Sequence, residues 1–225
     1  MFFKIIFFNN FRNEFYEKKW DIKNIEKHSI YVSQGNYPIK GLHIMLEALN
    51  ILKNKYPNIK LYIAGKNIYE FNNILDYIKF SDYQKFISKI IKKYNLKEHI
   101  IYTGMLNAEQ VANRLLKSNI YVQASSIENS SNALGEAMLI GTPCVASFVG
   151  GTPDMLINNI EGLLYPFGDY GLLAHYISKI FDDNNLAIEL SDNARKHAKI
   201  THDREINAEQ MIKIYKKVIE SCDSK

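Results

Sequence analysis

From residue 29 onward the apolar positions fall into two alternating kinds of run. Compact β-branched or aromatic runs occur at Ser29–Ser33, Ile59–Ala64, Ile100–Thr103, Ile120–Gln123, Pro143–Ala146 and Gly162–Tyr165. Their length and composition read as strands. Between most of them apolar residues recur every three or four positions: Leu42, Met45, Leu46, Leu49 and Leu52, then Phe86, Ile90 and Tyr94, then Val111, Leu115 and Leu116. That spacing lays one apolar stripe along a helix. Strands alternating with helices predict an α/β protein, a Rossmann-like parallel sheet with helices on both faces. After Asp169 only helical patterns remain, over Tyr170–Phe181, Ala187–Ala198 and Glu205–Glu220, so a helical C-terminal end is expected. Residues 1–28 show weak periodicity and read as an N-terminal extension or the remnant of a preceding domain or linker. The main domain is expected over 29–225.

A chain of 225 residues, 47% hydrophobic and 23% charged, can bury a sizeable core and is neither disordered, collagenous nor a coiled coil. Its apolar start, Met1 to Phe8, is interrupted by Lys4 and followed by Asn9-Asn10-Phe11-Arg12. It falls short of the roughly 20 residues of a membrane span and lacks the order of a signal peptide. A buried strand or a piece of an upstream domain is the expectation. Cys144 and Cys222 have no metal-ligand spacing; Cys144, in an apolar run, reads as a buried free thiol, and no metal site is expected. This cysteine usage suits a reducing, cytoplasmic setting.

The net charge is +4, carried by 24 lysines and only four arginines, Arg12, Arg114, Arg195 and Arg204. Without Arg clusters this basicity gives little reason to expect nucleic acid as a partner. Lys85, Lys89, Lys92, Lys93 and Lys97 flank one apolar stripe. Such a helix either lies on an anionic membrane, at the inner face and at most peripherally, or presents a solvated outer face; the second is expected.

In an open α/β sheet, ligands bind beyond the carboxyl ends of the strands. That rule selects the loops Gln34–Lys40, Gly65–Asn67, Gly104–Asn107, Ala124–Asn132 and Ser147–Thr152. Gly35, Gly65, Gly104 and the Gly150-Gly151 pair stand in them. Lys40 precedes a helix start, where a cation opposes the dipole; that misfit points to an anion site, since free N–H groups and the ammonium would act together. In Ser125–Met138, Glu128 lies in a loop, Glu136 lies in the first turns of the next helix, and Asn129, Ser130, Ser131 and Asn132 between them are cap formers. Two acids beside an anion site suit a ligand with both phosphate and hydroxyl groups.

Glu128-x7-Glu136 with Ala137-Met138 and Gly141-Thr142-Pro143-Cys144-Val145-Ala146 resembles the nucleotide-sugar-binding half of retaining GT-B glycosyltransferases of family 4, the group 1 glycosyl transferases. Ile39-Lys40-Gly41-Leu42, Leu61 to Gly65, Ile101 to Gly104, Gly150 to Asp154 and Glu161 to Leu164 fit in the same order. The resemblance covers about residues 29–220. It implies that Lys40 meets the donor diphosphate and that Glu128 holds donor-sugar hydroxyls. Asn129, Ser130, Ser131 and Asn132 would cradle sugar and phosphate, Glu136 would take the ribose hydroxyls, and Gly104 would line the base site. No cofactor is implied beyond the nucleotide-diphosphate sugar itself, a hexosyl donor for polysaccharide or glycolipid assembly.

Two departures stand out. Gly35 occupies the place of a second phosphate cation, which Lys66 could replace, and Asn129 and Ser130 stand where a Gly and an aromatic are usual. Of the two domains such enzymes close over their substrates, the chain has room for one; its final helices would pack back on the other. The implied partners are therefore the nucleotide sugar, a glycan or lipid-linked acceptor, and a separate acceptor-domain chain. A non-catalytic nucleotide-sugar-binding fragment and a sugar-nucleotide epimerase are the alternatives.

Overall fold

The computed structural model describes residues 11–68 and 81–223; the apolar start Met1 to Phe8 lies outside the described residues. Among these, six strands, β1 (Glu26–Val32), β2 (Lys60–Ile63), β3 (Ile100–Tyr102), β4 (Ser118–Gln123), β5 (Cys144–Ser147) and β6 (Leu163–Tyr165), form one parallel sheet in the order β3-β2-β1-β4-β5-β6. Every strand expected from the sequence is present. The register pairs Ser29–Val32 with Lys60–Ile63, and Tyr121–Gln123 with Cys144–Ala146. A sheet buried on both faces needs apolar residues at successive positions, and β4, β5 and β6 are buried throughout.

The helices are α1 (Asn13–Glu17), α2 (Leu42–Lys55), α3 (Asp82–Lys93), α4 (Ala108–Lys117), α5 (Asn132–Ile140), α6 (Thr152–Met155), α7 (Tyr170–Asp182), α8 (Asn184–Thr201) and α9 (Arg204–Asp223). The chain steps from β1 through α2 to β2 in one direction along the sheet, and from β4 through α5 to β5 in the other. Crossovers of one hand therefore place α2 and α5 on opposite faces. Helices α3 and α7 pack with α2, while α1, α4 and α8 pack with α5. The stripe Leu42, Met45, Leu46, Leu49 and Leu52 is wholly buried, as its spacing predicts.

Two expectations need correction. Phe86 is 48% exposed; the buried stripe of α3 is Ile87, Ile90 and Ile91, with Tyr94 partly buried against the core. Phe86 instead sits outside, its ring 6.1 Å from that of His43. Lys89, Lys92 and Lys93 are exposed on the side of α3 away from that stripe, and Lys97 is exposed in the 3-10 turn that follows, the solvated outer face of a core-packed element. The division at residue 28/29 falls inside β1. Its start is masked in the sequence because His28 takes a φ of 58° and the pairing with β4 shifts register between Glu26 and Ile30. Nor do residues 11–25 stand apart: Phe11, Phe15 and Trp20 are buried in the core. The Trp20 backbone N–H donates to Ile140 O and its indole Nε1 to Ser118 O, both at 2.8 Å. Arg195 donates to Leu139 O and, at 2.9 Å, to Tyr16 O.

The turn that leads into α2 fixes the site. Pro38–Lys40 form one 3-10 turn, closed by Gly41 with φ 69° and its N–H donating to Pro38 O. A Cβ on Gly41 would lie 1.7 Å from Ala124 O. Only glycine lets the β1 loop come this close to the β4 loop. At Gly104, φ is also positive, 73°, but nothing stands within 4 Å of a Cβ. Gly104→Ala should therefore cost only the left-handed strain, about 1–2 kcal/mol. Gly41→Ala should cost about 3–5 kcal/mol, because backbone must move as well. Urea unfolding of the two variants compares them directly, and equal losses would contradict the close-approach argument.

Candidate functional site

Beyond the carboxyl ends of β1 and β4, where the strand order reverses, lies a cleft of about 470 Å³. Ser33 and Gln34 reach it from the end of β1 and Lys40 from the turn before α2. Gln123, Ala124, Ser125 and Glu128 come from the end of β4, and Ser130 to Ala133 with Glu136 from the start of α5. Helix α5 begins here because Ser131 caps it, its hydroxyl accepting from Leu134 N at 3.3 Å. The first amides of α5 and the positive end of its dipole therefore face the cleft.

Lys40 and Glu128, 88 residues apart, meet across it: Nζ donates to Oε2 at 2.8 Å, with side chains 28% and 14% exposed. The two loops that bear them are stitched by Ser126 N donating to Ile39 O at 2.8 Å. The loop after β5 holds Glu128 from behind. Gly151 N donates to Glu128 O at 3.0 Å. Cβ atoms on Gly150 and Gly151 would lie 1.9 Å from the Glu128 and Asn129 carbonyl oxygens, respectively. These two glycines thus support the acidic loop by backbone approach.

Glu136 projects from the second turn of α5 toward Tyr31 and Tyr121, which sit side by side in the β1–β4 register with ring centroids 6.1 Å apart. The Tyr121 hydroxyl lies 3.2 Å from Ser33 Oγ. Burial pushes the Glu136 carboxyl up to about 7, opposed only partly by the Arg12 guanidinium. Burial likewise raises both tyrosines well above their ordinary range.

Lys40, Glu128, Ser130, Ser131, Asn132 and Glu136 are thus gathered around one cleft. Asn129 is exposed at its edge. The remaining candidates lie elsewhere. Gly35 is buried, with the space for its Cβ filled by Leu42 and Ile63; the neighbour that lines the cleft is Gln34. Lys66 is exposed in the β2 loop, and Gly104 bridges to Gly65 between the β2 and β3 loops, away from the cleft walls. Ser33, Tyr121 and Gln123 line the cleft without having been singled out. Gln123 ends β4, Ser33 follows β1 directly and Tyr121 stands two residues before the end of β4, so their signal is only closeness to the strand ends at the reversal point.

A profile of the glycosyl transferases group 1 family matches residues 12–197. The putative glycosyltransferase YtcC of Bacillus subtilis is 24% identical over 91% of this chain and 48% of its own length. The capsular polysaccharide biosynthesis glycosyltransferase CapM of Staphylococcus aureus is 22% identical over 83% of this chain and 45% of its own. The chain spans about half the length of these curated relatives. Among solved structures, Anabaena HepE in complex with UDP and glucose superposes with a TM-score of 0.78 at 20% identity, over 95% of this chain and 56% of that one. Sucrose-phosphate synthase from Thermosynechococcus elongatus gives 0.73 at 24% identity, over 87% and 46%. These likenesses place the fold among GT-B glycosyltransferases.

The raised Glu136 carboxyl makes a prediction for the folded chain alone. An unfolded Glu titrates near its ordinary value of 4.5 and the folded one near 7. Between those pH values the folded state holds the extra proton. The stability associated with this group is thus fully present below about pH 4.5 and declines as pH rises to 7. Glu136→Gln removes that titration. The variant should match the parent near pH 4.5 and exceed it by roughly 1–3 kcal/mol at pH 8. A stability difference that does not vary with pH would show that Glu136 titrates normally.

Proposed function

The chain belongs to the glycosyl transferases group 1 family, and from that premise we propose that its cleft binds a nucleotide-diphosphate sugar as the donor half of a retaining hexosyltransferase. The observation that carries this reading is the convergence of Lys40, Glu128, Glu136 and the start of α5 on one cleft at the sheet's reversal point. A diphosphate placed there meets the Lys40 ammonium and the α5 amides, which stabilise the charge that grows on the departing group as the glycosidic bond breaks. Glu128, held by its clamped loop, accepts hydrogen bonds from donor-sugar hydroxyls. Glu136 accepts from ribose hydroxyls. The complex of HepE with UDP and glucose supports this class of donor, and CapM, a glycosyltransferase of capsular polysaccharide biosynthesis, supports a role in polysaccharide assembly.

Transfer also needs an acceptor held in reacting geometry and a wall that excludes water, and positioning alone supplies about 7–11 kcal/mol in favourable cases. The acceptor side would come from the portion that the relatives have in addition, in the same polypeptide or as a partner chain. Helix α9 supports such a packing: Tyr215 and Ile219 on it are 61% and 59% exposed. The acceptor itself is a glycan or lipid-linked glycan. Among the described residues no helix is long and apolar enough to cross a membrane.

Titration calorimetry with UDP, GDP and their hexose conjugates tests the assignments. Lys40→Ala should weaken every diphosphate ligand by roughly 1.5–3 kcal/mol, the value of a charge-assisted hydrogen bond. Glu136→Ala should weaken bare nucleotide and nucleotide sugar alike, through ribose. Glu128→Ala should weaken the nucleotide sugar and spare the bare nucleotide. If Lys40→Ala leaves diphosphate affinity unchanged, Lys40 is not the phosphate ligand.

A further inference from the structure

One wall of the cleft contains a buried amide that the assignments above do not use. Gln123 is the last residue of β4, 5% exposed, and lines the cleft. It lies two residues beyond Tyr121, so both side chains stand on the face of the sheet that α5 covers. Its Nε2 donates to Thr152 Oγ1 at 3.2 Å, while Oε1, also buried, accepts from no group among the described residues. A buried amide oxygen without a partner is unfavourable and rare in native proteins. Turning the amide over would only exchange the orphan, leaving Nε2 unpartnered. One hydrogen-bonding position is vacant in either orientation.

The location narrows what can fill it. Thr152 follows directly on Gly150 and Gly151, the residues whose backbone holds the Glu128 loop. The amide is therefore tied to the part of the cleft that carries Glu128, assigned to the sugar, with Glu136 one turn into α5 assigned to ribose. A phosphate oxygen, which only accepts, suits one orientation of the amide. A hydroxyl both donates and accepts, so it pairs with either. Resting on the donor-site reading above, we propose that Gln123 binds a hydroxyl of the donor sugar and helps to determine which sugar the cleft accepts.

The test compares Gln123→Leu with the parent by titration calorimetry against UDP, GDP, UDP-glucose, UDP-galactose and GDP-mannose. The variant is near-isosteric; it removes the orphan and, with it, the hydrogen bond to the buried Thr152 hydroxyl, so its thermal midpoint should lie within about 4 °C of the parent's, and Gln123→Met serves in its place if it falls further. The affinity of the sugar conjugate that the parent binds best should fall about tenfold, and that of the matching bare nucleotide should stay within about twofold. Unchanged conjugate affinity would overturn the proposal and leave a trapped water as the occupant. Equal losses for conjugate and bare nucleotide would overturn it too, as a general distortion of the cleft. A parent that binds bare nucleotides but no conjugate would overturn it together with the sugar assignment of Glu128, and one that binds neither would overturn the donor-site reading itself.

Discussion

Strands β1 and β4 are hydrogen-bonded neighbours, yet their chains leave the sheet toward opposite faces. The two departing loops must separate, and the crevice between them lets a ligand reach backbone, helix starts and side chains together. Much of the local sequence serves this divergence. Gly41 allows the first turn to lean on Ala124 before the chain turns into α2. Ser131 caps α5 so that its amides open toward the gap. The Gly150-Gly151 backbone props the acidic loop from the far side.

The charges in the crevice are arranged so that none stands bare. Lys40 is matched by Glu128, and both are partly buried, where an unpaired charge would be strongly unfavourable. Burial pushes the Glu136 carboxyl up to about 7, so it is only partly ionised at neutral pH. A cleft that bore two unmatched carboxylates would repel a diphosphate; here one is paired and the other is easily protonated. Under the proposed assignment, a ligand with phosphate for Lys40 and hydroxyls for Glu128 would replace the internal ion pair by equivalent contacts on each side.

How much of this could be read from the sequence depends on how local each interaction is. The strands and the α2 stripe were legible because a buried face leaves a period of two or about 3.6 in the residues themselves. Phe86 misled because an exposed aromatic at the same spacing mimics a core position. Residues 11–25 left no pattern, since Phe11, Phe15 and Trp20 are each anchored singly and by partners far along the chain, as in Trp20 Nε1 to Ser118 O. Among the site residues, those borne by ordered motifs, Lys40, Glu128 and Glu136, do converge. The Lys40–Glu128 pair, by contrast, spans 88 residues and has no local signature. Gln123 ends a strand that is buried at every position, where a polar residue is conspicuous only once its missing partner is seen.

The central claim is that the crevice at the β1–β4 reversal holds the donor, diphosphate on Lys40 and the start of α5. A crystal structure of the chain with bound UDP-hexose tests it most directly. The account expects the diphosphate within hydrogen-bond distance of Lys40 Nζ and the Ser131–Ala133 amides, ribose on Glu136 and the hexose beside Glu128. Density for the nucleotide in another cavity, such as that lined by Asn13, Tyr16, Lys199 and Arg204, with the Lys40–Glu128 pair undisturbed, would contradict it.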